Sequence, residues 1–236
     1  MKLKIALIII GLIVSVALLI VIPVYNEYRR SVSEDPRVWR SQIEEFEKQD
    51  IQDGIPSNSI LFVGSSSIKY WERMDRFINN RPVLNRGFGG AKISDVAFYL
   101  DQLVFKYKPK MVVIYLGVVD LAISDNKSVE SVACDFNKLC QQIKRGMPEI
   151  KISVIALRPS PYRVGAWASY AQFNNRLMEM ANADSNVYYI DANAVVKDKN
   201  GLLRKDIYRY DRQHLNEVGN SLWRTAIIES ISKTIQ

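Results

Sequence analysis

At 236 residues and a net charge of +7, the chain can build one substantial core and is short for two full domains. Its 48% hydrophobic and 24% charged residues exclude the disordered, collagen-like and disulfide-scaffold classes. The first 30 positions hold Lys2, Lys4, Arg29 and Arg30 against one acid, Glu27, which leaves 28 basic and 24 acidic residues beyond them. No dense Lys/Arg run with interleaved aromatics occurs, so no nucleic-acid partner is expected.

The first element is an apolar run of 20 residues, Ile5 to Val24, interrupted only by Gly11, Ser15 and Pro23. As a helix it spans roughly 30 Å, the thickness of a bilayer's hydrocarbon core. Backbone groups in lipid must bond internally, so a helix is expected there. Ser15-Val16-Ala17 could serve as a signal-peptide cleavage site, but the apolar run continues past it to Ile22, which favours an uncleaved single-pass anchor over residues 1–30. Lys2 and Lys4 favour an inside N-terminus, Arg29, Arg30, Arg37 and Arg40 the reverse. A short tail with one leading span points to an extracytoplasmic domain; protection from external protease in intact spheroplasts would refute that placement.

Residues 31–56 read as a linker with an amphipathic helix over Pro36–Asp50, in which Trp39, Ile43 and Phe46 recur at helical spacing. Asp35-Pro36 is a helix start, and the helix is expected to pack on the domain edge. Over 57–236 strand-length apolar runs alternate with helical periodicity. The strands are Ser59–Gly64, Pro82–Arg86, Met111–Gly117, Ile150–Leu157 and Val187–Asp191; the helices are roughly 92–107, 128–145, 168–183 and 217–235. Continuous runs such as Met111–Leu116 suit strands buried on both faces, and the alternation predicts a five-stranded parallel sheet with helices on both sides. Cys134 and Cys140 lie six apart on one predicted helix, on different faces, so they are expected to be free thiols. With one histidine and no CxxC spacing, no metal site is expected.

In parallel sheets, chemistry gathers past the carboxyl ends of the strands. One such place is Gly64-Ser65-Ser66-Ser67, where a serine on a tight strand-to-helix turn can project its hydroxyl and the helix N-terminus offers free N–H groups. A polar helix cap is the alternative reading. The second is Asp211-Arg212-Gln213-His214: a carboxylate three residues before the chain's one histidine can fix its tautomer and leave the other ring nitrogen to take a proton. A surface histidine beside an aspartate is the alternative. The third is Asn85-Arg-Gly-Phe-Gly-Gly90, whose spacing fits neither G-x-G-x-x-G nor a phosphate-binding GK[ST]. An anion-binding N–H from Gly90 fits better than a nucleotide loop. G-x-S-x-G, the nucleophile elbow of ordinary α/β-hydrolases, is absent.

These segments resemble the blocks of the SGNH (GDSL-type) hydrolase superfamily, especially its small bacterial esterase/acylhydrolase branch, over roughly residues 57–232. FVGSSSIKYW (62–71) resembles the first block, with the nucleophile on Ser66; LNRGFGGAKISDV (84–96) the second, with the oxyanion glycine on Gly90; DRQHLNEVG (211–219) the last, with acid and base on Asp211 and His214. The resemblance implies a flavodoxin-like three-layer α/β/α sandwich, an oxyanion hole that includes the Ser66 and Gly90 amides, and cofactor-free hydrolysis of a small acyl ester or an acylated glycan or lipid. One departure stands out. Where the family reads Gly-x-Asn-Asp, this chain reads Gly117-Val118-Val119-Asp120. Val119 has no donor to offer an oxyanion. Three readings follow: a serine esterase, an O-acyltransferase or deacetylase of envelope polysaccharide using the same residues, or an impaired scaffold retained for binding. Asp120 is expected to brace its loop; Trp71, Phe88 and Trp167 are expected in the core or in an acyl pocket.

Overall fold

A computed structural model describes residues 2–71, 76–122 and 127–235. It opens with α1 (Lys2–Val32), unbroken through Pro23. A 3₁₀ turn over Pro36–Trp39, capped by Asp35 Oδ1 accepting from the Arg37 amide at 3.0 Å, leads into α2 (Arg40–Asp53). Then follow β1 (Ile60–Gly64), α3 (Ser66–Lys69), β2 (Phe77–Ile78), β3 (Arg81–Asn85), α4 (Ile93–Phe98), α5 (Leu100–Leu103), β4 (Met111–Tyr115) and α6 (Val118–Ala122). The chain closes with α7 (Val129–Gly146), β5 (Lys151–Ile155), α8 (Trp167–Ala183), β6 (Val187–Ile190) and α9 (Glu217–Thr234).

The sheet order is β2-β3-β1-β4-β5-β6. Its five longer strands run parallel in the expected flavodoxin-like order, with β1 between β3 and β4. β1 and β4 are buried along their whole length because helices cover both faces. On one side α7 packs on α4 and α8, with Phe136 edge-on to Phe173. On the other, Trp223 of α9 packs on Tyr115 of β4 and on Trp71.

The expected five-stranded sheet has six strands. The sixth, β2, pairs antiparallel with β3 at the edge. Two residues carry no period-2 pattern, so alternation could not reveal it. The turn that makes it is Asn79-Asn80, both at positive φ (48° and 60°), the geometry a tight hairpin requires and asparagine tolerates. The helix expected over 92–107 is three short pieces, α4, α5 and a 3₁₀ turn over Phe105–Tyr107, because Tyr99 (φ −103°, ψ 24°) and Val104 (φ −130°, ψ −60°) leave helical geometry. α6 is one short helical turn where a loop is expected.

The expected anchor lies within α1, but the side chains of 5–8, 13, 16, 17 and 20 fall outside the described residues. Among the described residues, no helix is long and apolar enough to cross a membrane, so the expected transmembrane helix is not among the structure's features.

α2 is fastened to the domain rather than trailing from it. Ile43 and Phe46 are buried. The Asp50 carboxylate accepts from Arg86 Nη2 (2.5 Å), Lys106 Nζ (2.7 Å) and Tyr107 Oη (2.8 Å). Burial pushes this carboxyl up, but those three donors outweigh it and hold it below its ordinary value. Arg86 starts the loop that carries Gly90, so this network braces that loop. Cys134 and Cys140 are both free, the first exposed and the second buried.

Candidate active site

Ser66 is the first residue of α3, directly beyond the carboxyl end of β1 and beside β4, where the strand order reverses direction. Such a crevice is where ligands meet an open α/β sheet. Ser66 is only 9% exposed, yet its Oγ lies 2.8 Å from His214 Nε2, across 148 residues of chain. His214 Nδ1 lies 2.6 Å from Asp211 Oδ2. A carboxylate can only accept, so Nδ1 carries the proton and Nε2 is left to accept from the serine hydroxyl. The three residues thus form one hydrogen-bonded line.

Asp211 and His214 sit on a single turn. Asp211 Oδ1 accepts from the Gln213 and His214 amides, both at 2.9 Å, and Arg212 takes up the left-handed φ of 58° that closes the turn. Burial pushes the Asp211 carboxyl up, but the His214 ring and these two amides outweigh it and keep it below the ordinary value. The turn is tied down from outside. The Gln213 carbonyl accepts from buried Arg158 Nη2 (3.3 Å), the Gln213 side chain from Arg163 Nε (3.2 Å), and the Arg212 carbonyl from the Tyr162 amide (3.0 Å). The loop after the fourth expected strand therefore serves to hold the base. Between it and α6 lies an open cleft of about 470 Å³, lined by Leu121, Tyr162, Arg163 and Ser169 among others.

Gly90 takes φ +71°, which glycine alone adopts without strain. Among the described residues, no protein acceptor takes the Ser66 or Gly90 amide, so both are available to an anion. The Gly90 loop is pinned at each end. Asn85 donates to the Ile68 carbonyl (2.8 Å) and accepts from the Gly87 amide (2.9 Å). Asp95 accepts from the Lys92 amide (2.9 Å) and Trp39 Nε1 (3.2 Å). Asn85 thus commits its oxygen and one N–H to holding this loop. Val119 itself is buried on α6.

Asp120 braces the same loop, accepting from the Ile93 amide at 3.3 and 3.4 Å. It is fully buried, and burial pushes its carboxyl up to about 6 against the pull of Lys127 and the Ile93 amide. The native state therefore holds this proton more tightly than the unfolded chain, so its stabilising effect is lost as pH rises from about 4 through about 6. Asp120→Asn keeps the acceptor and removes the ionisation. It should gain roughly 3 kcal/mol over the parent between pH 4 and pH 8. Urea midpoints at the two pH values test this, and parallel pH dependences would refute it.

Trp71 and Phe88 are core residues, packed on Phe62 and Trp39; Trp167 donates to the Ser160 carbonyl at 2.9 Å. A wall that no sequence motif marks stands on the other side of the imidazole. Tyr70 stands edge-on to His214 with ring centroids 5.2 Å apart. Its hydroxyl donates to Glu27 Oε2 at 3.4 Å, and Lys69 Nζ approaches the same oxygen at 2.9 Å. Glu27 belongs to α1. As the one acid in the first 30 residues it was a visible signal, but nothing in the sequence said what it would face.

The profile of the GDSL-like lipase/acylhydrolase family matches residues 62–222. Solved structures share the fold at low identity. A GDSL-like lipase from Bacteroides thetaiotaomicron aligns with TM-score 0.67 and 19% identity over 82% of this chain and 98% of that one. The lipase/acylhydrolase from Enterococcus faecalis aligns with TM-score 0.61 and 18% identity over 75% and 97%. A carbohydrate esterase of family 3 from Talaromyces cellulolyticus aligns with TM-score 0.57 and 17% identity over 75% and 97%. A comparison with curated proteins finds no match.

Proposed function

Because the chain belongs to the GDSL-like lipase/acylhydrolase family of the SGNH hydrolase superfamily, we propose that it is a serine ester hydrolase acting through Ser66, His214 and Asp211. One observation carries the reading: the unbroken hydrogen-bonded line from Ser66 Oγ through both imidazole nitrogens to a carboxylate. Nε2 takes the Ser66 proton as Oγ attacks the acyl carbonyl. The Ser66 and Gly90 amides receive the oxyanion. Asp211 stabilises the imidazolium, which returns its proton to the leaving alcohol. Water, activated by the same nitrogen, then releases the acid from the acyl-enzyme. No step calls for a cofactor.

α1 carries this domain as a single-pass anchor through residues 5–24, with the catalytic part on the extracytoplasmic side. The apolar run and the Lys2 and Lys4 that precede it support that placement, against the pull of Arg29 and Arg30.

A second reading, an impaired hydrolase retained for binding, draws on Val119 and on Asn85 being engaged elsewhere. A fluorophosphonate probe separates the two. An activated serine gives a covalent adduct that maps to Ser66 by peptide mass; a chain left unlabelled would end the esterase reading.

A further inference from the structure

The last two turns of α1 are packed on the loop that bears Gly90. A Cβ on Gly89 would come within 2.1 Å of Glu27 Oε1, and one on Gly90 within 2.6 Å of Ser31 Cβ. At Gly90 the clash would be with the root of the Ser31 side chain, so this glycine lets the helix lie close, whereas at Gly89 it would be with the movable end of Glu27. Ser31 is buried there, and Glu27 is held by Lys69. The helix then runs without a break back into the apolar segment. Along that segment Ile10, Leu12, Val14, Leu18, Leu19 and Val24 are all at least half exposed. At 3.6 residues per turn these six point around the whole circumference. A protein groove would need only one apolar stripe, whereas lipid bathes every side. Exposed Tyr25 and Tyr28, with Arg29 beside them, mark the end nearest the domain, the residue types that settle at a headgroup layer.

From these observations we infer that α1 forms one wall of the catalytic mouth and that the ester admitted there is resident in a membrane, its carbonyl at headgroup depth. The inference rests on the esterase reading above. Depth follows from helix geometry. Glu27 lies three residues beyond Val24 and Ser31 seven, or roughly 4.5 and 10 Å along the axis. A headgroup layer is roughly 5–8 Å thick on each side of the hydrocarbon core. The oxyanion loop, packed against Glu27 and Ser31, therefore stands at the outer level of the headgroups. An acyl chain can stay in the bilayer while its carbonyl reaches Ser66, so the substrate need not be drawn into water.

The test uses the full chain in vesicles of mixed neutral and anionic phospholipid. Two fluorogenic esters share one leaving group, a water-soluble acetate and a long-chain acyl ester dissolved in the vesicles. A ten-residue Gly/Ser insertion between Val24 and Tyr25 leaves Glu27 and Ser31 docked but gives a slack of roughly 16–19 Å. The insertion should lower turnover of the embedded ester at least tenfold and leave the acetate within twofold. Equal turnover of the embedded ester by both proteins would overturn the inference. So would loss on both esters, or a parent that cleaves only the acetate. A parent that cleaves neither and takes no fluorophosphonate removes the esterase reading itself, and the inference falls with it.

Discussion

Ser66→Ala should lower turnover of a short-chain nitrophenyl ester by roughly 10³-fold or more, toward what amide donors and binding achieve alone. The line from Asp211 to Ser66 acts as a unit. Once Oγ is gone His214 has no nucleophile to activate, and no acyl-enzyme can form. The fold should be little affected. The substitution removes one hydrogen bond, worth about 1 kcal/mol, at a helix start where alanine is well tolerated inside the first turn. The pair of measurements is therefore kcat and the thermal midpoint. A variant with kcat within tenfold of the parent would remove Ser66 from its role, and a collapsed midpoint would call for Ser66→Cys in its place.

Val119→Asn should move the rate in the other direction. One oxyanion donor is typically worth 10²–10³ in turnover, or about 2.7–4 kcal/mol. In the parent the site offers the Ser66 and Gly90 amides, with Asn85 engaged in holding the loop. α6 begins one residue past Gly117, at the same rim of the sheet as Ser66, so position 119 lies on the segment that flanks the nucleophile. Asparagine is close to valine in size. Its amide would act mainly on the charged intermediate, so kcat should rise by about 10²-fold with little change in KM. If the side chain instead faces the core, the amide is buried without a partner and costs about 1–3 kcal/mol. A lower midpoint with no gain in kcat would show that position 119 is not a missing donor.

How far the sequence could be read depended on how local each signal was. The five parallel strands were legible because strands buried on both faces leave continuous apolar runs. The β2–β3 hairpin was not, because two residues carry no period, though Asn79-Asn80 was a turn signal left unused. The breaks at Tyr99 and Val104 leave no mark in a pattern that is helical throughout. At the site, Ser66, Asp211 and His214 each sat on a strand end or beside the one histidine, and the structure brings all three together. What holds them was out of reach. Arg158 grips the Gln213 carbonyl across 55 residues, and Glu27 meets Lys69 across 42. Such contacts depend on tertiary approach, and a single chain read in order does not disclose them.

The separation of 148 positions from Ser66 to His214 sets when activity can begin. During synthesis the first strand and its serine leave the ribosome long before the turn at 211–214 exists, and a serine without its base is an ordinary alcohol. The turn also needs Arg158 and Tyr162 in place to hold its carbonyls. Chemical competence thus arrives late and all at once, so a nascent or proteolytically shortened chain lacking that turn is inert toward any ester it meets.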